Sequence, residues 1–138
     1  MVEPTPTTKT AQTSGPDRID VAVPLRVEFA STLRTLVVSI GADCGLSVDE
    51  LDDLRLALSE IFSVLAENGP ADGRALVSIE ATAGELRVSI RTDGDAEYEL
   101  DELASSILRA VTDSHEIGPN EFRFTKRNVD IVPGPAAP

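Results

Sequence analysis

From Arg18 to Leu25 the chain reads RIDVAVPL, and its apolar residues fall on every second position: Ile19, Val21, Val23 and Leu25. A period of two places all four on one face of a β-strand. Pro24 has no amide hydrogen for a ladder, so it predicts an edge strand or a strand end. The period then changes. Phe29, Leu33, Leu36, Val37 and Ile40 recur at the spacing of a helix with one apolar face, which closes at GADCG, residues 41–45. The next helix is the longest predicted element. Ser47 followed three residues later by Glu50 forms a capping box at its start, and Gly69 and Pro70 end it.

RALVSIEA and ELRVSIRT follow, two alternating runs separated by TAG, which is hairpin spacing. A third helix is expected over about 100–114, with Leu103, Ile107, Leu108 and Val111 at helical spacing. SHEI and EFRFTKR around GPN supply a last pair of strands. The order is β-α-α-β-β-α-β-β, without an internal repeat. Helices this few, each with one wide apolar face, are most simply laid on one side of a sheet. The expected fold class is therefore α+β, an α/β two-layer sandwich with helices on one face of a mixed, mostly antiparallel sheet. Residues 1–17 and 132–138 (the latter within VPGPAAP) have little to bury and are expected as loose tails around a single domain, 18–131.

Charge narrows the function classes. With 24 acidic and 12 basic residues the chain carries a net charge of −12 and a pI near 4.3. Such a surface repels phosphate backbones and anionic lipid, so neither nucleic acid nor membrane is an expected partner. No apolar run approaches the roughly 20 residues of a membrane span, and MVEPTPTTKTAQTSGP has no signal-like apolar core, so the expected location is cytoplasmic. Cys44 stands alone and reads as a small, half-buried residue rather than a nucleophile. His115, the one histidine, reads as structural. No His or Cys cluster suits a metal, and Ser59, Ser105 and Ser106 have no base at triad spacing.

The candidate chemistry lies in LRLALSEIFSVLAENG, residues 54–69. On a helical wheel Leu51, Leu54, Leu58, Ile61, Phe62 and Leu65 share one arc, and Glu60 falls nearly opposite its centre. Ala57 and Val64 flank Glu60, which leaves that side less polar than a solvent face and predicts a second contact surface there.

STLRTLVVSIGADCGLSVDELDDLRLALSEIFSVLAENG resembles the start of the RsbW-type anti-sigma factors, serine kinases of the GHKL, or histidine-kinase-like ATPase, superfamily, and LRAVTDSHEIGPNEFRFTKR is similar to their end. The likeness spans about residues 20–127 and implies the histidine-kinase-like ATPase fold. It also implies roles. Glu60 matches the glutamate that acts as a base toward the attacking group, and Asp93, in RTDGDAEYE, matches the aspartate that anchors adenine.

Three departures stand against the nucleotide site. Val64 replaces the asparagine that helps to hold Mg2+, a cation that takes oxygen ligands, and Asn68 lies two turns from Glu60. Asp95 stands where the first motif glycine belongs. YELDELASSILRAV has no glycine to let backbone amides cradle phosphates, and the carboxylates from Asp95 to Glu102 oppose a triphosphate. The resemblance therefore implies an anti-sigma-factor-like regulator that binds a sigma factor, an anti-sigma-factor antagonist, or both, with a homodimer as a further partner. Arg34 on the first helix and Glu60 are its expected contact residues. The alternative is an active serine kinase of the antagonist, with Glu60 as base, Asp93 at adenine, and ATP and Mg2+ as cofactors.

Overall fold

The computed structural model describes residues 15–70, 72–93 and 98–131. The expected tails lie outside them, apart from residues 15–17, and so does the run from Gly94 to Glu97 that includes Asp95. Among the described residues the expected element order appears, with one added 3-10 turn, Val27–Phe29, before the first helix. The strands are β1 (Asp17–Pro24), β2 (Arg74–Thr82), β3 (Glu85–Thr92), β4 (Ser114–Gly118) and β5 (Glu121–Arg127); the helices are α1 (Ala30–Cys44), α2 (Val48–Asn68) and α3 (Glu102–Val111).

The strands form one sheet in the order β1-β2-β3-β5-β4, and every neighbouring pair is antiparallel. The expected mixed sheet is thus antiparallel throughout, an α+β fold. Its connections explain this: β2–β3 and β4–β5 are tight hairpins, and no right-handed crossover links two adjacent parallel strands. β1, with Pro24 at its end, is an edge strand as its sequence predicts.

Register sorts the side chains into two layers. Val21, Val77, Ile90 and Phe122 stand in one cross-strand row, and Ile79, Val88 and Phe124 in another, all turned toward the helices. The opposite face carries Asp20, Ser78, Ser89, Arg123 and Glu116 in a matching row. Burying apolar rows against a helical layer supplies roughly 1.5–3 kcal/mol for each fully buried Leu, Ile or Phe.

α2 is the central helix, with α1 and α3 each packed against it. Its start is the predicted capping box: the Glu50 amide donates to Ser47 Oγ at 3.2 Å, and the Ser47 amide donates to Glu50 Oε1 at 2.8 Å. Leu54, Leu58, Ile61, Phe62 and Leu65 face the core, and Ala57 joins them with no exposed surface. The α1–α2 crossing is close because residue 41 is glycine; a Cβ there would come within 3.1 Å of Leu46 and Leu51 side chains. Gly45, at φ 107°, then ends α1 in the left-handed cap that a glycine adopts without steric cost. Asn128 straps this corner to the sheet: its amide donates to Gly84 O at 2.8 Å and its carboxamide to Gly45 O at 2.9 Å.

The third helix is shorter than expected and turned differently. Asp101 caps it, its carboxylate accepting from the Ala104 amide at 2.8 Å, and Thr112 ends it in an extended conformation. Its core stripe is Ala104, Leu108 and Val111, whereas Leu103, expected on the apolar face, is 70% exposed. Spacing i, i+4, i+7 is complete without Leu103, so the smaller alanine takes the inward position.

Candidate functional site

Glu60 lies on α2, half-buried, and its side chain makes no hydrogen bond or ion pair with another described residue. It stands on the side of α2 away from the buried arc of Leu54, Leu58, Ile61, Phe62 and Leu65. Ser59 fixes the geometry: its hydroxyl accepts from Arg34 Nη1 at 3.2 Å, so the Ser59 side of α2 faces α1. Ala57 and Val64 lie about 160° and 140° around the helix from Ser59, on the flank that remains for α3. Glu60 sits about 100° from Ser59 and one helical turn from Leu56, which is 42% exposed.

Asp93 directly follows β3 and is exposed; its Oδ1 accepts from the Arg74 amide at 3.4 Å, closing the end of the β2–β3 pair. Arg34, half-buried, is engaged with Ser59 on the α1 side. No hydrogen bond or ion pair joins any two of Glu60, Asp93 and Arg34. Asn68 curls back, its Nδ2 donating to Val64 O at 2.8 Å. Among the described residues no group of three or more His, Cys, Asp or Glu side chains is placed to hold a metal ion.

What occupies the ground between the end of α2, the end of β3 and the start of α3 is Tyr98. It is 6% exposed, its hydroxyl donates to the buried Thr92 Oγ1 at 2.9 Å, and its ring meets Phe122 with centroids 5.9 Å apart and planes tilted by 52°. Gly69 makes room beside it: a Cβ at that position would lie 3.3 Å from the Tyr98 oxygen and 2.9 Å from Leu25. Sequence reading passed over Tyr98. The available signal was a lone tyrosine inside an acidic stretch, where an aromatic ring has a reason to be only if something buries it.

A second feature was also passed over. The open face of the sheet forms a broad concavity of about 700 Å3, lined by Arg18, Arg87, Arg91 and Arg123 together with Glu80 and Glu121. Three of the arginines are paired with neighbouring carboxylates, Arg18 with Asp20 at 3.1 Å, Arg123 with Glu116 at 2.6 Å and Arg87 with Glu85 at 3.9 Å. The period-two arginines of ELRVSIRT and EFRFTKR signal this face in the sequence.

No protein-family model matches the chain, and no curated protein matches it. Among solved structures the chain is similar to the RsbU and RsbW domains of Rv1364c from Mycobacterium tuberculosis, at 19% identity and a TM-score of 0.59. The match covers 80% of this chain and 31% of that one, so this chain spans about a third of the other's length. At this identity the likeness carries the architecture alone: an α+β fold similar to that structure, with an antiparallel five-stranded sheet under three helices.

Proposed function

We propose that this chain is a regulatory binding module of the anti-sigma-factor type, which holds a sigma factor, an anti-sigma-factor antagonist, or both by protein–protein contact, pairs as a homodimer, and works without ATP. The single observation that carries the reading is the packing of Tyr98. The fold is similar to a structure containing an RsbW domain, and the Tyr98 ring, in the segment between Asp93 and α3, packs onto Phe122 with its hydroxyl on Thr92, which supports a reading without nucleotide.

The surrounding residues support the same reading. Val64 offers no oxygen to Mg2+, and the Asn68 carboxamide is turned onto the backbone. These residues do not fit an ATP–Mg2+ group. The contact surface we assign is the outer ridge of α2 around Glu60 and Leu56, with Arg34 on the neighbouring helix. An exposed leucine one turn from a carboxylate suits a partner that offers an apolar pocket beside a basic residue. The net charge of −12 adds long-range attraction for a basic partner surface.

The test is capture of purified sigma factors and candidate antagonists by the chain, read by calorimetry, with Leu56→Asp and Glu60→Arg as surface variants. Binding that both variants weaken at least tenfold is the expected result. Absence of binding to every sigma factor and antagonist at low salt would sink it. ATP–Mg2+ is titrated in parallel: a rise in melting temperature with nucleotide favours the kinase alternative through ligand linkage.

A further inference from the structure

We infer that the outer edge of β1 is the pairing edge for a second copy of this chain, the two β1 strands running antiparallel about a two-fold axis at Ile19. Two of the five strands stand at an edge of the sheet, β1 and β4, and they are not guarded alike. β4 is five residues long, and a strand that short is itself a guard against pairing. β1 runs eight residues, and its register with β2 is unbroken from Asp17↔Ala81 to Pro24↔Arg74, with no bulge to twist the edge away. Its one proline stands at its end. Between Asp17 and Val23 the outward amides and carbonyls have no ladder partner among the described residues.

The side chains select the occupant. Arg18, Ile19 and Asp20 are consecutive, and residues directly opposite in an antiparallel pair point to the same face. With the axis at Ile19, Arg18 stands opposite the partner's Asp20, Asp20 opposite the partner's Arg18, and the two Ile19 side chains meet. Ile19 is an exposed apolar residue at the rim of the helix-facing layer, which a second isoleucine covers. Arg18 and Asp20 are exposed on the open face, and their 3.1 Å bond to each other is a surface pair within one strand, so its exchange for two pairs across the axis sacrifices little. Neighbouring registers fail on charge. An axis at Asp20 or at Arg18 sets like charges against each other, and one at Val21 puts Asp20 against Ala22 and Arg18 against Pro24, with no charge paired. The axis at Ile19 joins the two five-stranded sheets into one, with both helical layers on the same side.

This edge is where the homodimer of the proposed function meets, so it rests on that part of the reading and not on capture of a sigma factor. The experiment uses the full chain and its Arg18→Asp and Asp20→Arg variants, alone and mixed, with sedimentation equilibrium as the readout. Each variant alone sets like charges across the axis and should dimerise about tenfold more weakly than the parent chain. An equal mixture of the two sets opposite charges at both places and should regain the parent's affinity as a heterodimer, which a bond within one chain cannot produce. Should either variant fail to fold, Ile19→Cys in a Cys44→Ser chain takes its place. Facing Cα atoms of an antiparallel pair lie about 4.5–5.5 Å apart, within disulfide reach, so oxidised glutathione should link two copies through residue 19. Asp17→Cys, about 13 Å out of line with its copy, should not link. The inference is overturned by a parent dimer that both charge variants keep, by a mixture that stays monomeric, by an Ile19→Cys chain that links no more than Asp17→Cys, or by a monomeric parent chain. Only the last of these also removes the homodimer from the proposed function.

Discussion

The ammonium of Lys126 lies 2.9 Å from the Asp53 carboxylate and ties β5 to α2, with the lysine side chain 10% exposed and the aspartate 40% exposed. Sequence resemblance drew attention to the TKR end as a family feature, and the structure gives its lysine a mechanical task. The two partners are unequally placed, so their removal should be unequal. Asp53→Ala leaves a buried cation without its partner and should cost about 1–2 kcal/mol, discounted for the exposure of the carboxylate. Lys126→Met removes the buried charge and keeps the apolar stem, and should cost less. Urea unfolding of both variants checks the order; a costlier Lys126→Met would refute it.

The capping box makes a second prediction. Ser47 Oγ satisfies one of the four free amides at the start of α2, and alanine offers no acceptor. Ser47→Ala should therefore lose about 1 kcal/mol, while Ser47→Gly loses only a few tenths. Because α2 is packed on both flanks, the loss should appear in global thermal unfolding rather than as local fraying. Equal melting temperatures for Ser47→Ala and the parent chain would contradict this.

Those two features differ in how far the sequence announces them. The capping box is local, and SVDE declares it. The Lys126–Asp53 contact spans 73 positions and depends on where β5 falls in the sheet, which local patterning does not specify. Strand order β1-β2-β3-β5-β4 is hidden for the same reason: periodicity tells which face a residue takes, not which neighbour it meets. Leu103 misled because volume outweighs phase in reading an apolar stripe, and Ala104 in fact faces inward. Asp93 and Arg34 are singled out only by family resemblance and Glu60 also by its place on the wheel, whereas Tyr98 needed the fold to bring Phe122 and Gly69 around it.

On the open sheet face, Asp20 accepts from the Ser78 hydroxyl at 2.7 Å and from Arg18 Nε at 3.1 Å. These bonds favour the ionised form, the serine's first and the arginine's next, and hold the carboxyl below its ordinary value of 3.8. A depressed folded-state pKa stabilises the fold above the ordinary value, and that contribution is lost as pH falls through the lower, folded value. Carboxyl-detected NMR titration should place Asp20 below an unperturbed aspartate, and Ser78→Ala should move it upward more than Arg18→Ala does. A larger shift from Arg18→Ala would assign the effect to charge instead.

Cys44 supplies the last prediction. It ends α1 half-buried, and its Sγ lies 3.8 Å from Glu85 O, close to the hairpin whose Gly84 amide donates to Cys44 O at 2.7 Å. Burial raises its pKa above the ordinary thiol value, and the neighbouring Asp43 charge pushes in the same direction. Thiolate is the reacting form, and each unit of upward shift leaves about tenfold less of it at neutral pH. Alkylation of the folded chain by iodoacetamide at pH 7.5 should therefore run slower than that of glutathione, and the gap should close in urea. Asp43→Asn should quicken the folded reaction modestly, because burial remains the larger cause. A folded-state rate equal to that of glutathione would mean that the thiol is neither covered by the hairpin nor held in its protonated form.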